Sequence, residues 1–301
     1  MPFWRHMIVT GQTAVKARRE FAPDADLLAD APVWCFNRFG PTRTQLPDGR
    51  IVCIGGEHED YYDPDFCIYN DVIVVHPDLS FTIYGYPKEI FPPTDFHTAT
   101  LVNERIYIIG GLGYTGTRGG STPVYQLNLH DFSITRIQTR GTSPGWIYDH
   151  VAQLVHDGAA IRVQGGKRVE TDEKSSHRTW TRAMQLRLTD CTWNEVDIEQ
   201  PPDPFAQISW PEQWKPVEES SASYELNELR RVVPLGHQLF SCNVRPVAIK
   251  LGSSILFQLL DGSGQFAQVE LTWDESKHAT FPQPLTQVYA NLNAWLLDPR
   301  R

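Results

Sequence analysis

The feature that most constrains this chain is a segment that returns at a fixed spacing. Arg50-Ile-Val-Cys-Ile-Gly-Gly56 recurs as Arg105-Ile-Tyr-Ile-Ile-Gly-Gly111 and as Ile161-Arg-Val-Gln-Gly-Gly166, so the glycine pairs begin at 55, 110 and 165. The flanks repeat with it. Upstream stand Thr42-Arg-Thr-Gln-Leu46, His97-Thr-Ala-Thr-Leu-Val102 and His150-Val-Ala-Gln-Leu-Val155, each reading as a preceding strand. Downstream stand the apolar runs Val72-Ile-Val-Val75, Val124-Tyr-Gln-Leu127 and Met184-Gln-Leu-Arg-Leu188, followed by turns that open on Asp78, Asp131 and Asp190. Short runs of β-forming residues bounded by turn signals predict four antiparallel strands per unit. The turn aspartates supply a carboxylate that can cap backbone N–H groups. The glycines fall where backbones approach closely or φ is positive.

A repeat of four strands cannot bury both of its faces alone, so such units are expected to stack. The pattern of four apolar residues, Gly-Gly, a long loop, an apolar strand, a turn and a late aromatic resembles the kelch family, over about 165 of the 301 residues. The resemblance implies a mainly β fold, a kelch-type β-propeller with three recognisable blades. The late aromatic is Trp193 only in the third unit; Phe81 and Ile134 stand in its place in the others. Propellers have four to eight blades, so the ring is completed by the flanks, is open, or is completed by another chain, which would make a homo-oligomer.

Residues 1–34 show little periodicity, and His6-Met-Ile-Val-Thr10 and Pro32-Val-Trp-Cys-Phe36 are candidate strands of the propeller. Residues 35–200 carry the repeats. Beyond Pro201-Pro202 the character changes to a small α+β domain, 201–301, or a closing blade. Its sequence predicts a helix over 220–233, a strand at Val247-Ala-Ile-Lys250 and a hairpin around Asp261-Gly-Ser-Gly264; an apolar stripe runs from Leu285 to Leu297.

Charge narrows the function. With 27 basic and 36 acidic residues the formal net charge is −9, which offers no basic field to gather phosphates and argues against nucleic acid. No apolar run reaches membrane-span or signal-peptide length, so no membrane partner is expected and a cytoplasmic location is. The five cysteines lack CxxC pairing, which argues against a disulfide framework or a thiolate zinc site.

Three groups of residues could carry function. The acidic run from Glu57 to Asp65, with His58, offers oxygens to a divalent cation but no fixed ligand spacing, and the expectation is no metal and no cofactor. His97 and His150 occupy equivalent positions; with Asp95 and Asp149 they could line a central funnel as acid–base groups, although recurrence at one repeat position favours a shared structural hydrogen bond. The loops after the glycine pairs, 57–69, 112–122 and 167–178, carry Tyr61, Tyr62, Tyr114, Arg118, Lys167 and Arg168, residue types that concentrate at interfaces. Kelch folds host enzymes, among them galactose oxidase and sialic acid epimerases, but no residue set here reproduces their sites, and no P-loop, GxGxxG or GxSxG is present. The reading is therefore a non-enzymatic module that presents its loops to a protein partner. The alternative is a small-molecule or carbohydrate binder or enzyme using the funnel.

Overall fold

A computed structural model describes residues 2–22, 24, 34–58, 66–170, 177–197, 203–250, 254–271 and 284–301. The chain divides into two compact units, Arg38–Glu199 and a second made of Met1–Asn37 with Gln200–Arg301. It is mainly β, built from antiparallel sheets.

In the first unit each repeat forms its own sheet. The first joins β1 (Thr42–Gln45), β2 (Ile51–Ile54), β5 (Asp71–Val75) and β6 (Phe81–Gly85) in that order, and β3 (Glu57–His58) pairs with β4 (Cys67–Ile68) inside the loop after the glycines. The second contains β7 (Thr98–Val102), β8 (Arg105–Ile109), β9 (Val124–Asn128) and β10 (Ile134–Arg136). After β11 (Arg140–Gly141) and β12 (Trp146–Tyr148), the third contains β13 (Val151–Val155), β14 (Ala160–Gln164), β17 (Ala183–Arg187) and β18 (Thr192–Val196). There β11 adds in parallel to β18, and β15 (Lys167–Val169) with β16 (His177–Thr179) extends β12 into a separate three-stranded sheet.

Alternation along the strands gives each sheet two faces. In the second sheet Ile106, Ile108, Tyr125 and Leu127 pack against Val52, Ile54, Val72 and Val74 of the first. Its other face sends Tyr107, Ile109 and Val124 against Ile161, Val163, Met184, Leu186 and Trp193 of the third. The sheets thus stack in chain order over apolar layers, and β7 lies beside both β1 and β13. Each last hairpin turns the same way: Leu79, Phe132 and Cys191 take positive φ (63°, 55° and 56°), and the preceding aspartate accepts the N–H of Ser80 (2.9 Å), Ser133 (2.9 Å) or Thr192 (3.3 Å). This is the cap that the aspartates predict.

The second unit contains α1 (Pro2–Thr10), α2 (Ala14–Phe21), β19 (Trp214–Pro216), α3 (Glu219–Val232), β20 (Val244–Lys250), β21 (Ser254–Leu259), β22 (Phe266–Glu270), β23 (Thr286–Tyr289) and α4 (Leu292–Leu296). Its five strands form a meander in chain order, with the β21/β22 hairpin at its centre. Trp214 and Trp295 meet edge to face at 4.9 Å beneath it.

Two expectations are corrected here. His6–Thr10 is not a strand: Phe3, Trp4, Met7 and Ile8 recur at helical spacing, and Met7 and Ile8 are fully buried in α1. Residues 34–36 form no strand, and 31–33 lie outside the described residues. The stripe from Leu285 to Leu297 serves two elements, β23 and then α4, whose start is capped by Asn291 accepting the N–H of Ala294 at 2.9 Å. Among the described residues no helix is long and apolar enough to cross a membrane.

Candidate functional site

The two equivalent histidines sit in the seams between sheets. Thr42 and Thr98 begin β1 and β7, and each meets the histidine that leads into the next sheet: Thr42 Oγ1 lies 2.9 Å from His97 Nε2, and Thr98 Oγ1 lies 3.0 Å from His150 Nε2. Two backbone bonds repeat beside each pair. The N–H groups of Gly56 and Gly111 donate to the carbonyls of Thr94 (2.8 Å) and Ile147 (3.0 Å), and those of Phe96 and Asp149 donate to Gly40 (2.8 Å) and Phe96 (2.7 Å). The approach is close enough that a Cβ on Gly55 or Gly110 would fall within 3.0 Å of the Thr94 or Ile147 carbonyl oxygen. Glycine recurs there because the next sheet occupies the space.

His97 and His150 are both buried. Burial pushes the His150 imidazole down to about 3, since a charged ring there loses its hydration, and its Nδ1 has no hydrogen-bond partner. At neutral pH His150 is an uncharged structural bridge between sheets. Asp149 is half-buried at φ 57° and holds its seam through its backbone. Asp95 is fully buried, and its Oδ1 accepts the N–H of Gly113 at 2.7 Å. Burial pushes the Asp95 carboxyl up, while the Gly113 N–H, a hydrogen bond with the Glu57 side chain and the Arg118 charge oppose the rise. Each of the four funnel candidates thus has its own partner: a threonine hydroxyl for each histidine, the Gly113 N–H for Asp95 and the Phe96 carbonyl for the Asp149 backbone.

The loops at the glycine end brace one another. Tyr114 OH accepts the N–H of Ile68 at 2.8 Å, and its ring meets Phe66 edge to face at 5.9 Å. Arg118 donates to the carbonyls of Leu112 (3.1 Å) and Gly113 (2.9 Å), and Trp146 Nε1 also donates to Leu112 (3.2 Å). Lys167 and Arg168 begin the β15/β16 hairpin, which pairs with β12. The Tyr148 ring meets the His177 ring edge to face at 5.4 Å and has Lys167 Nζ 5.9 Å from its centre. Burial and the Asp149 charge push the Tyr148 hydroxyl up to about 12. Burial, with the Arg118 and Lys167 charges, pushes His177 down. Arg168 and Arg178 both approach Glu170, at 3.3 and 3.6 Å. Tyr61 and Tyr62 lie outside the described residues.

Sequence reasoning missed the buried pair of Arg38 and Asp71. The guanidinium meets both carboxylate oxygens, donates to the Gly55 carbonyl at 2.9 Å, and stacks 3.5 Å from the centre of the Tyr69 ring. The available signal is Asp71 at the head of the otherwise apolar run DVIVV, since a carboxylate in a buried strand needs a partner. All five cysteines are free thiols, and burial raises Cys53 to about 11, which makes it unreactive. Among the described residues no three His, Cys, Asp or Glu side chains gather as a metal site requires; residues 59–65 of the acidic run lie outside them.

No family model matches the chain, and no curated protein matches it. Among solved structures it is similar to that of YjhT, at 14% identity and a TM-score of 0.40, over 56% of this chain and 54% of that one. The chain spans about half the length of YjhT in that match, and the likeness is too distant to carry an argument.

Proposed function

We propose that the repeat unit is a kelch-type propeller arrangement of three blades, and that it is a non-enzymatic binding module whose glycine-end loops engage a protein partner in the cytosol. The observation that carries this reading is the bracing of those loops. Tyr114, Arg118 and Trp146 tie three loop segments together, and the 167–179 hairpin is held by a further strand. A surface fixed before binding loses little conformational entropy on association. On it Lys167 and Arg178 are exposed, while Tyr114 and Arg118 have scaffold roles. The histidines that acid–base chemistry would need serve instead as seam hydrogen bonds.

The test is capture of a stoichiometric partner from the native host with wild-type protein, a Lys167→Glu/Arg178→Glu variant and a His150→Gln variant. The proposal expects capture by wild type and by His150→Gln at neutral pH, with loss in the double variant. Equal capture by all three would place the binding surface elsewhere. A turnover activity abolished by His150→Gln in the folded protein would refute the non-enzymatic reading.

A further inference from the structure

Asp95 is held so that its carboxyl cannot turn to water. On one side Thr94 accepts the N–H of Gly56 (2.8 Å) and donates its own to the Tyr69 carbonyl (3.0 Å); on the other, Phe96 donates to Gly40 (2.8 Å) and accepts from Asp149 (2.7 Å). The Asp95 carbonyl accepts the N–H of Leu112 (3.0 Å) and Oδ1 accepts that of Gly113 (2.7 Å), so the residue also pins the second glycine-end loop. Asp95 is fully buried, and among the described residues its Oδ2 meets no N–H or hydroxyl donor. Arg118, whose charge bears on it, is committed elsewhere: Nε and Nη2 donate to the Leu112 and Gly113 carbonyls (3.1 and 2.9 Å).

What meets Asp95 instead is a second carboxyl. The Glu57 side chain hydrogen-bonds to it from the first loop, where Glu57 is half-buried and its backbone is fixed by a reciprocal pair of bonds with Phe39, 2.8 Å each. Two carboxylates have only acceptors to offer each other, so this hydrogen bond requires a proton on one of them. Of the other titratable groups at the junction, Tyr114 on the second loop, Tyr148 on β12 and Cys67 on β4 are pushed up by burial and carry no charge at neutral pH. His58 alternates to the far side of β3, and Asp149 acts on Tyr148 from beyond it.

We propose that Asp95 and Glu57 share one proton at neutral pH, and that this proton is a pH-sensitive latch joining the first two glycine-end loops. While it is present, one carboxyl donates to the other and the loop after Gly111 is tied to the loop after Gly56. When it is lost to solvent, two like charges are left side by side, one of them buried. Asp95 is clamped by its neighbours, so the half-buried Glu57 swings away and water enters between the loops. Folding takes up a proton here; the pair's contribution is present at low pH and lost as pH rises through its folded titration, the opposite sense to a buried neutral histidine. The latch concerns the junction of the loops and stands whether or not they bind a protein.

The test is carboxyl carbon-13 NMR of the whole protein, with wild type, Asp95→Asn and Glu57→Gln. In wild type the two carboxyls are expected to titrate together in two steps, one above the usual carboxylate range, with the Gly113 amide proton moving alongside. The Ile68 amide bridges the two loops through Tyr114. Crossing the upper step should lower its exchange protection by about tenfold. Each variant puts a permanent amide donor in place of the proton, so the upper step should vanish and Ile68 protection should stay level as pH rises. Should Asp95→Asn fail to fold, Glu57→Gln, on the half-buried side, carries the comparison. Independent titrations within the ordinary carboxylate range, or an equal loss of Ile68 protection in wild type and variant, would overturn the latch. So would stoichiometric calcium binding that abolishes the upper step, which would make the pair a cation site.

Discussion

His150 couples the stability of the repeat unit to pH with a sign and size that follow from its surroundings. Its Nε2 bridges to Thr98, whose own hydroxyl points to the Ile109 carbonyl, and Nδ1 is buried without an acceptor, so a second proton has nowhere to go. The ring titrates near 6.5 when unfolded but only at about 3 when folded. Between those values the unfolded chain takes up a proton that the folded protein refuses, so acid favours unfolding; the contribution is fully present above pH 6.5 and is lost progressively as pH falls. Each pH unit costs about 1.4 kcal/mol, so moving from pH 6.5 to pH 5 costs about 2 kcal/mol at this one residue. Urea unfolding at pH 7 and pH 5 should therefore show His150→Gln, although weaker at pH 7, losing about 2 kcal/mol less than wild type on acidification. His177 and His237, also pushed down by burial, contribute equally to both proteins and cancel. Identical pH slopes for variant and wild type would refute the assignment of His150 as a buried neutral bridge.

Two further predictions rest on other buried or capping groups. Arg38→Met leaves Asp71 charged in an apolar strand and should cost about 3–5 kcal/mol, much of it recovered by adding Asp71→Asn; a single variant as stable as wild type in urea would contradict the pairing. Hydrogen bonds from Ser133 hold the Asp131 carboxyl below its usual range, so this turn's contribution is present at neutral pH and fades as the carboxylate is protonated below about pH 4. Asp131→Ala should accordingly speed amide exchange at Ser133 at pH 7, with Asp131→Asn in between, and unchanged exchange in both would dismiss the cap.

Much of this architecture was legible because the repeat restates it. The Gly-Gly spacing, the Asp turns and the position of His97 and His150 are each written two or three times, and a feature repeated in register has one physical cause, the seam between neighbouring sheets. What could not be read were pairings between unlike residues at long separation. Arg38 meets Asp71, and Asp95 meets Glu57 and Gly113, through loop geometry that no local pattern encodes. Asp95 and Asp149 look alike in sequence, but Asp149 occupies the positive-φ position held by Gly40 and Phe96, and Asp95 lies one step earlier in its repeat. In α1 the apolar residues at 3, 4, 7 and 8 carry the helical signal, which the window from His6 to Thr10 cut in half.

The proposed binding surface is tested most directly by photo-cross-linking in the native host from two ends of the same scaffold. One probe replaces Arg168 at the glycine end, and the other replaces Asn103 in the turn between β7 and β8, at the opposite end of the strands. A discrete protein adduct from position 168 and none from 103 is the predicted result. An adduct from 103 alone, or none from either, would contradict a partner bound at the glycine-end loops.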